Sequence, residues 1–68
     1  MKIEVGGYYQ GDANTVAHVT QLEYGNICYI CYDLYNKNGK LMKKGSKTKL
    51  IYFISWAKER VKPKREPC

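Results

Sequence analysis

Two cysteines and one histidine are the first residues to consider for metal binding or catalysis. Cys28 and Cys31 have the C-x-x-C spacing, which chelates zinc or forms a redox disulfide when both sulfurs lie on one side of a turn. Here they fall in a strand-like run, where positions i and i+3 point to opposite faces of a sheet. We therefore expect packed thiols, and we predict neither a bound metal nor a cofactor.

The remaining sequence also argues against an enzyme. His18 lies within a β-branched run, which is typical of a strand histidine rather than of a general acid or base. The chain contains no phosphate-binding loop, nucleophile elbow or dinucleotide fingerprint. A chain of 68 residues also offers little scaffold for a water-excluding active site. We predict a binding module or inhibitor with no catalytic residues.

Charge is distributed unevenly along the chain. Residues 1–35 contain one base and four acids, a net charge of −3, whereas residues 36–68 contain eleven bases and two acids, a net charge of +9. Such asymmetry bears on partners rather than on fold. The first basic cluster consists of Lys37, Lys40, Lys43, Lys44, Lys47 and Lys49. The second consists of Lys58, Arg60, Lys62, Lys64 and Arg65.

Dense lysines permit two interpretations. They bind phosphate backbones through counterion release, and they also protect exposed strand edges from aggregation. Because their number exceeds what edge protection requires, we favour a binding role.

Tyrosine is the second candidate binding residue type. The seven tyrosines and one tryptophan are too many for so small a core. Tyr8 and Tyr9 are adjacent and must face opposite ways in a strand, so we expect one to be exposed and include both in the candidate site. Exposed rings stack on bases of single strands and also occur at protein hot spots.

Short runs of strand formers between turn residues predict the elements that position these side chains. The predicted strands are 2–5 with an extended continuation at 8–10, then 15–22, 27–35 and 40–44, the last ending at Gly45-Ser46. A slip in the alternation near Thr20 indicates a bulge, and Asn38-Gly39 indicates a hairpin. The 27–35 run is apolar on both faces, so we expect it to be central and covered on each side.

The last element is predicted to be a helix over about 50–61. Leu50, Phe53, Ile54, Ala57 and Val61 recur at helical spacing. A strand through 48–55 stays open as an alternative, because apolar residues also alternate there. Residues 62–68 have little to bury and are predicted to form a disordered basic tail.

These elements predict a mainly β (α+β) fold in a single domain over residues 1–61. Its four or so strands would form a strongly bent antiparallel sheet or a small barrel of the SH3 or KOW kind, with the helix at one end. This likeness is one of pattern.

The leading functional prediction is a basic module that binds RNA or single-stranded DNA with low sequence specificity, because lysine recognises charge rather than base edges. The alternative is a protein-binding inhibitor or adaptor that docks an acidic surface of a host enzyme, in a format typical of phage- or plasmid-encoded proteins. A ribosome-associated or structural protein is a third alternative, and a homodimer stays open.

The expected cellular location follows from the absence of membrane-spanning and secretory patterns in the sequence. No apolar run approaches the roughly 20 residues of a membrane helix, and the first residues show no secretory apolar region. Three cysteines are an odd, low number for a disulfide framework. We expect a cytoplasmic protein without a membrane partner.

Overall fold

The computed structural model describes residues 2–62 and contains five strands and one helix. The strands are β1 (Tyr8–Gln10), β2 (Val16–Glu23), β3 (Tyr29–Tyr35), β4 (Leu41–Lys49) and β5 (Glu59–Val61). Helix α1 (Leu50–Trp56) lies between β4 and β5, and a 3₁₀ turn at Asp12–Asn14 joins β1 to β2.

All strand pairs are antiparallel, and the order across the sheet is β4-β3-β2-β1-β5. The prediction of a mainly β fold with a C-terminal helix is confirmed. The sheet has five strands rather than four and is not closed, since β4 and β5 are its two edges. The expected bulge near Thr20 is also confirmed, because the β2–β3 register shifts between Val19 and Gln21.

The core occupies one face of the sheet, under α1. Its buried residues are Tyr9, Ala17, Val19, Ile30, Phe53 and Ala57. The Tyr9 and Phe53 rings meet edge to face with centroids 5.9 Å apart, an arrangement that aromatic pairs favour. Only one face of β3 is therefore packed against the core, and the expectation that both faces are covered is wrong.

The N-terminal segment is not the strand predicted for 2–5. The hydroxyl of buried Tyr9 accepts the Glu4 backbone N–H at 2.8 Å and donates to the Lys2 carbonyl at 3.2 Å. Gly6 has a φ of +89°, which a residue with a side chain rarely adopts. Tertiary hydrogen bonds therefore override the local alternation.

Strand β4 continues past Gly45-Ser46, where the sequence predicted its end. Gly45 has a φ of +72°, and its N–H donates to the Asp33 carboxylate at 2.9 Å. The β3–β4 register shifts on both sides of Leu34. The glycine therefore forms part of an irregular, bulged strand rather than a turn.

Helix α1 ends at Trp56, and the predicted continuation to about Val61 is wrong. Ala57 is extended and donates the last helical hydrogen bond to the Phe53 carbonyl. The Lys58 N–H then donates to the Gln10 carbonyl at 2.7 Å, and Glu59–Val61 pairs with β1. Glu59–Val61 therefore pairs with the free edge of β1, although Val61 also fits the helical periodicity of the sequence.

Candidate functional site

The first two lysines of the first cluster lie in the loop between β3 and β4. The Asn36 side chain accepts the backbone N–H groups of Asn38 and Lys40 at 2.8 and 3.0 Å, and Gly39 has a φ of +86°. This hydrogen-bonded loop holds Lys37 and Lys40 exposed.

The other four lysines of this cluster lie on edge strand β4. Lys43 is the cross-strand partner of Leu34, and Lys47 and Lys49 are the partners of Cys31 and Tyr29. The side chain of Lys49, the last residue of β4, reaches Tyr52 of α1. Lys43, Lys44 and Lys47 are exposed and Lys49 is half-buried.

Lys47 forms a salt bridge within the chain. Its Nζ lies 2.9 Å from a carboxylate oxygen of Glu23, and this hydrogen bond raises the pKa of Lys47. The other five members of the cluster form no salt bridge within residues 2–62. They make up the open-lysine edge, which consists of Lys37, Lys40, Lys43, Lys44 and Lys49.

The described members of the second basic cluster lie around β5, at the opposite edge of the sheet. Lys58 pairs with Asp12 at 3.0 Å and Arg60 with Glu4 at 2.6 Å; the hydrogen bond to Glu4 raises the pKa of Arg60. Lys62 is exposed, and Lys64 and Arg65 lie outside the described residues. The strand order therefore separates the two clusters.

The two adjacent tyrosines have different surroundings. Tyr8 is half-buried, and its ring stacks on His18 with centroids 4.3 Å apart and planes 4° apart. Tyr9 is fully buried. Tyr9 cannot stack on a base in this structure, and its inclusion among the candidate binding residues is corrected.

An open cleft of about 240 Å³ lies between α1 and the neighbouring strands, beside the open-lysine edge. Its lining residues are Tyr32, Leu34, Thr48, Tyr52, Phe53 and Trp56. Helix α1 supplies three of them, since positions 52, 53 and 56 share one side of a helix. Tyr52 is 58% exposed, which leaves its ring accessible.

Two lysines of the open-lysine edge lie next to this cleft. Lys49 Nζ is 5.6 Å from the centroid of the Tyr52 ring, and Lys43 is the cross-strand partner of the lining residue Leu34. No lining residue carries a charge. The arrangement is an uncharged aromatic cleft with cations beside it, which can accept a planar group attached to anions.

The candidate site predicted from the sequence did not include the residues that line the cleft. Tyr32, Tyr52 and Trp56 are visible in the sequence as aromatics, and the spacing of Tyr52 and Trp56 indicates one side of a helix. Only the packing of α1 on β3 and β4 brings Tyr32 and Thr48 to them.

Aliphatic side chains are also exposed near this site. Ile51 and Ile54 on α1 are 65% and 44% exposed, and Leu41 and Met42 at the start of β4 are 45% and 55% exposed. Contiguous exposed apolar groups are typical of surfaces that bind proteins, and Ile51 and Ile54 lie one turn apart on α1.

Cys28, Cys31 and His18 are not among the residues that line the cleft. Cys28 and Cys31 are half-buried free thiols, and Cys31 Sγ lies 3.8 Å from a Glu23 carboxylate oxygen. Across residues 2–62, no three His, Cys, Asp or Glu side chains are grouped closely enough to hold a metal ion.

Comparison with known proteins gives no assignment: no family model, curated protein or solved structure matches the chain. Within the described part of the chain, no helix has the length and apolarity needed to cross a membrane.

Proposed function

We propose that this protein is a small, non-enzymatic module that binds RNA or single-stranded DNA with low sequence specificity. The observation that carries the proposal is the position of the open-lysine edge beside an accessible aromatic cleft. Lysines attract the phosphate backbone, and aromatic rings stack on bases of any sequence.

The fold is part of this proposal. In this proposal the fold is an open variant of the SH3-like or KOW-like barrel, because β1–β4 form an antiparallel meander and β5, which follows a short helix, pairs with β1. A cytoplasmic location remains a prediction from the sequence.

Salt-dependent binding tests the function directly. Fluorescence anisotropy with labelled single-stranded RNA and DNA of about 10 nucleotides, over a series of salt concentrations, gives the slope of log affinity against log salt. We expect a steep negative slope, because bound phosphates release counterions. An affinity that does not change with salt would contradict the proposal.

Two double variants with the same change in net charge locate the contact with the oligonucleotide. Lys43→Ser with Lys44→Ser removes two open cations and is expected to reduce the slope by about 1.4, at about 0.7 for each single-strand phosphate contact. Lys2→Ser with Lys58→Ser changes the net charge equally but lies outside the hairpin and β4, and we expect a smaller reduction. Equal reductions would place the binding surface elsewhere.

A second candidate is the protein-binding inhibitor or adaptor, and the exposed Ile51 and Ile54 favour it. In this case a purified partner with an acidic surface binds after nuclease treatment. Ile51→Ser with Ile54→Ser then abolishes that binding but leaves oligonucleotide affinity unchanged. Oligonucleotide binding without any nuclease-resistant partner favours the first candidate.

A further inference from the structure

The wall of the cleft is suited to one flat, uncharged ring system. Four of its six lining residues are aromatic, and Thr48 contributes a hydroxyl. Its volume of about 240 Å³ is below the roughly 300–1,000 Å³ typical of pockets for drug-sized ligands. The space therefore suits a single ring system better than a larger molecule.

The charges around the cleft indicate which groups would be attached to a ring bound in it. Lys49 Nζ lies over the Tyr52 ring, and Lys43 is the cross-strand partner of the lining residue Leu34. Neither cation has a carboxylate partner within residues 2–62. A neutral ring with anions beside it is the chemistry of a nucleotide within a strand, and the uncharged lining offers no partner for a charge on the ring itself.

We propose that the cleft takes one unstacked base of a single-stranded nucleic acid, with the base against Tyr52 and the adjacent phosphates near Lys43 and Lys49. This inference rests on the proposed function and adds a defined base subsite to it. A base in a duplex is paired and stacked, so that its insertion requires unstacking. The cleft therefore selects single strands over duplexes of the same sequence.

Trp56 reports on occupation of the cleft, because it is the chain's only tryptophan and it lines the cleft. The experiment titrates the full chain with oligothymidylate of about 10 nucleotides, and separately with the same strand in a duplex. Trp56 emission and anisotropy of the labelled strand are measured together, and N-acetyltryptophanamide corrects for light absorbed by the oligonucleotide. We expect quenching by the single strand and little by the duplex.

Tyr52→Ser and the matched control Tyr24→Ser then test the contact with the base. Tyr24 is 75% exposed and lies outside the cleft lining. Loss of one stacked base predicts that Tyr52→Ser weakens single-strand binding at least about fivefold, while Tyr24→Ser has no effect. Circular dichroism checks that both variants remain folded.

The outcomes separate this inference from the proposed function. Salt-dependent binding with unchanged Trp56 emission, and with equal affinities for the two tyrosine variants, overturns the base subsite and leaves the proposed function standing. Quenching of equal size by duplex and single strand overturns the selection for unpaired bases. The absence of salt-dependent binding overturns the proposed function, and the base subsite with it.

Discussion

The contact between Gly11 and Trp56 shows how a single residue positions the candidate site. Gly11 is buried, and a Cβ built on it would overlap the indole of Trp56. The indole lies against the Gly11 backbone and also against Phe53, with ring centroids 5.5 Å apart. The absence of a side chain at position 11 therefore allows Trp56 to line the cleft.

Gly11→Ala is expected to reduce the free energy of unfolding by about 1–3 kcal/mol, because the added methyl group overpacks the contact. The displaced indole should also emit at a longer wavelength. Urea denaturation followed by circular dichroism, together with the native emission spectrum, measures both effects.

Gly25→Ala provides the control for this prediction. Its added methyl group would have only the Ile27 carbonyl oxygen nearby, at 3.9 Å, so we expect a change within about 0.5 kcal/mol. Equal losses of unfolding free energy in the two variants would show that the contact with Trp56 does not cause the destabilisation.

The sequence identifies residue types at the site better than it identifies their surroundings. It showed that Tyr8 and Tyr9 must face opposite ways, but not which of the two side chains would be buried in the core. Gly11 begins a run of turn-forming residues at 11–14, but its role beside Trp56 depends on a residue far along the chain. Both facts come from packing, which no local pattern contains.

At the level of elements, the local patterns found the helix and the hairpin but not where β4 and α1 end. Gly45 has the local signature of a turn, yet the Asp33 carboxylate binds its N–H and the strand continues. The helical periodicity extends to Val61, yet β1 has a free edge that Glu59–Val61 fills. Pairing with distant backbone determined both boundaries.

The junction of β4 and α1 leads to a prediction about stability and function together. Lys49 occupies the N-cap of α1 and makes no side-chain capping hydrogen bond, whereas serine is among the residues preferred there. Lys49→Ser should raise the free energy of unfolding by about 0.5–1 kcal/mol. It should also lower the salt slope of oligonucleotide binding by about 0.7, because one phosphate contact is lost.

Lys44→Ser is the matched control for this substitution. It removes the same charge from β4 without touching the helix N-cap, so we expect the same decrease in slope and no gain in stability. If denaturation shows no difference in stability between the two variants, capping at position 49 does not limit the helix.

At the level of the whole molecule, the basic residues between positions 36 and 62 are divided between the two edges of the sheet. The charge count predicted one strongly positive half, but it could not show that Lys47, Lys58 and Arg60 are paired with acids from the other half. The open-lysine edge lies on the hairpin and β4, and its lysines can have either of two roles. Either they bind an anionic partner, or they keep the edge strand from pairing with another chain.

Reversal of charge separates these two roles, because edge protection works with either sign whereas phosphate binding requires a positive one. Lys43→Glu with Lys44→Glu keeps the edge charged and is expected to leave the size of the protein in solution unchanged by light scattering. The same variant should lose at least about tenfold in affinity for single-stranded oligonucleotides at low salt, since two phosphate contacts become repulsions.

Lys43→Thr with Lys44→Thr completes the comparison, because it removes the charge without reversing it. We expect self-association to increase in this variant, since an uncharged edge strand offers its backbone to a second chain. If the glutamate variant instead kept the full affinity and only the threonine variant associated, the lysines at 43 and 44 would serve edge protection alone. The binding surface would then have to rely on the cleft and the remaining cations.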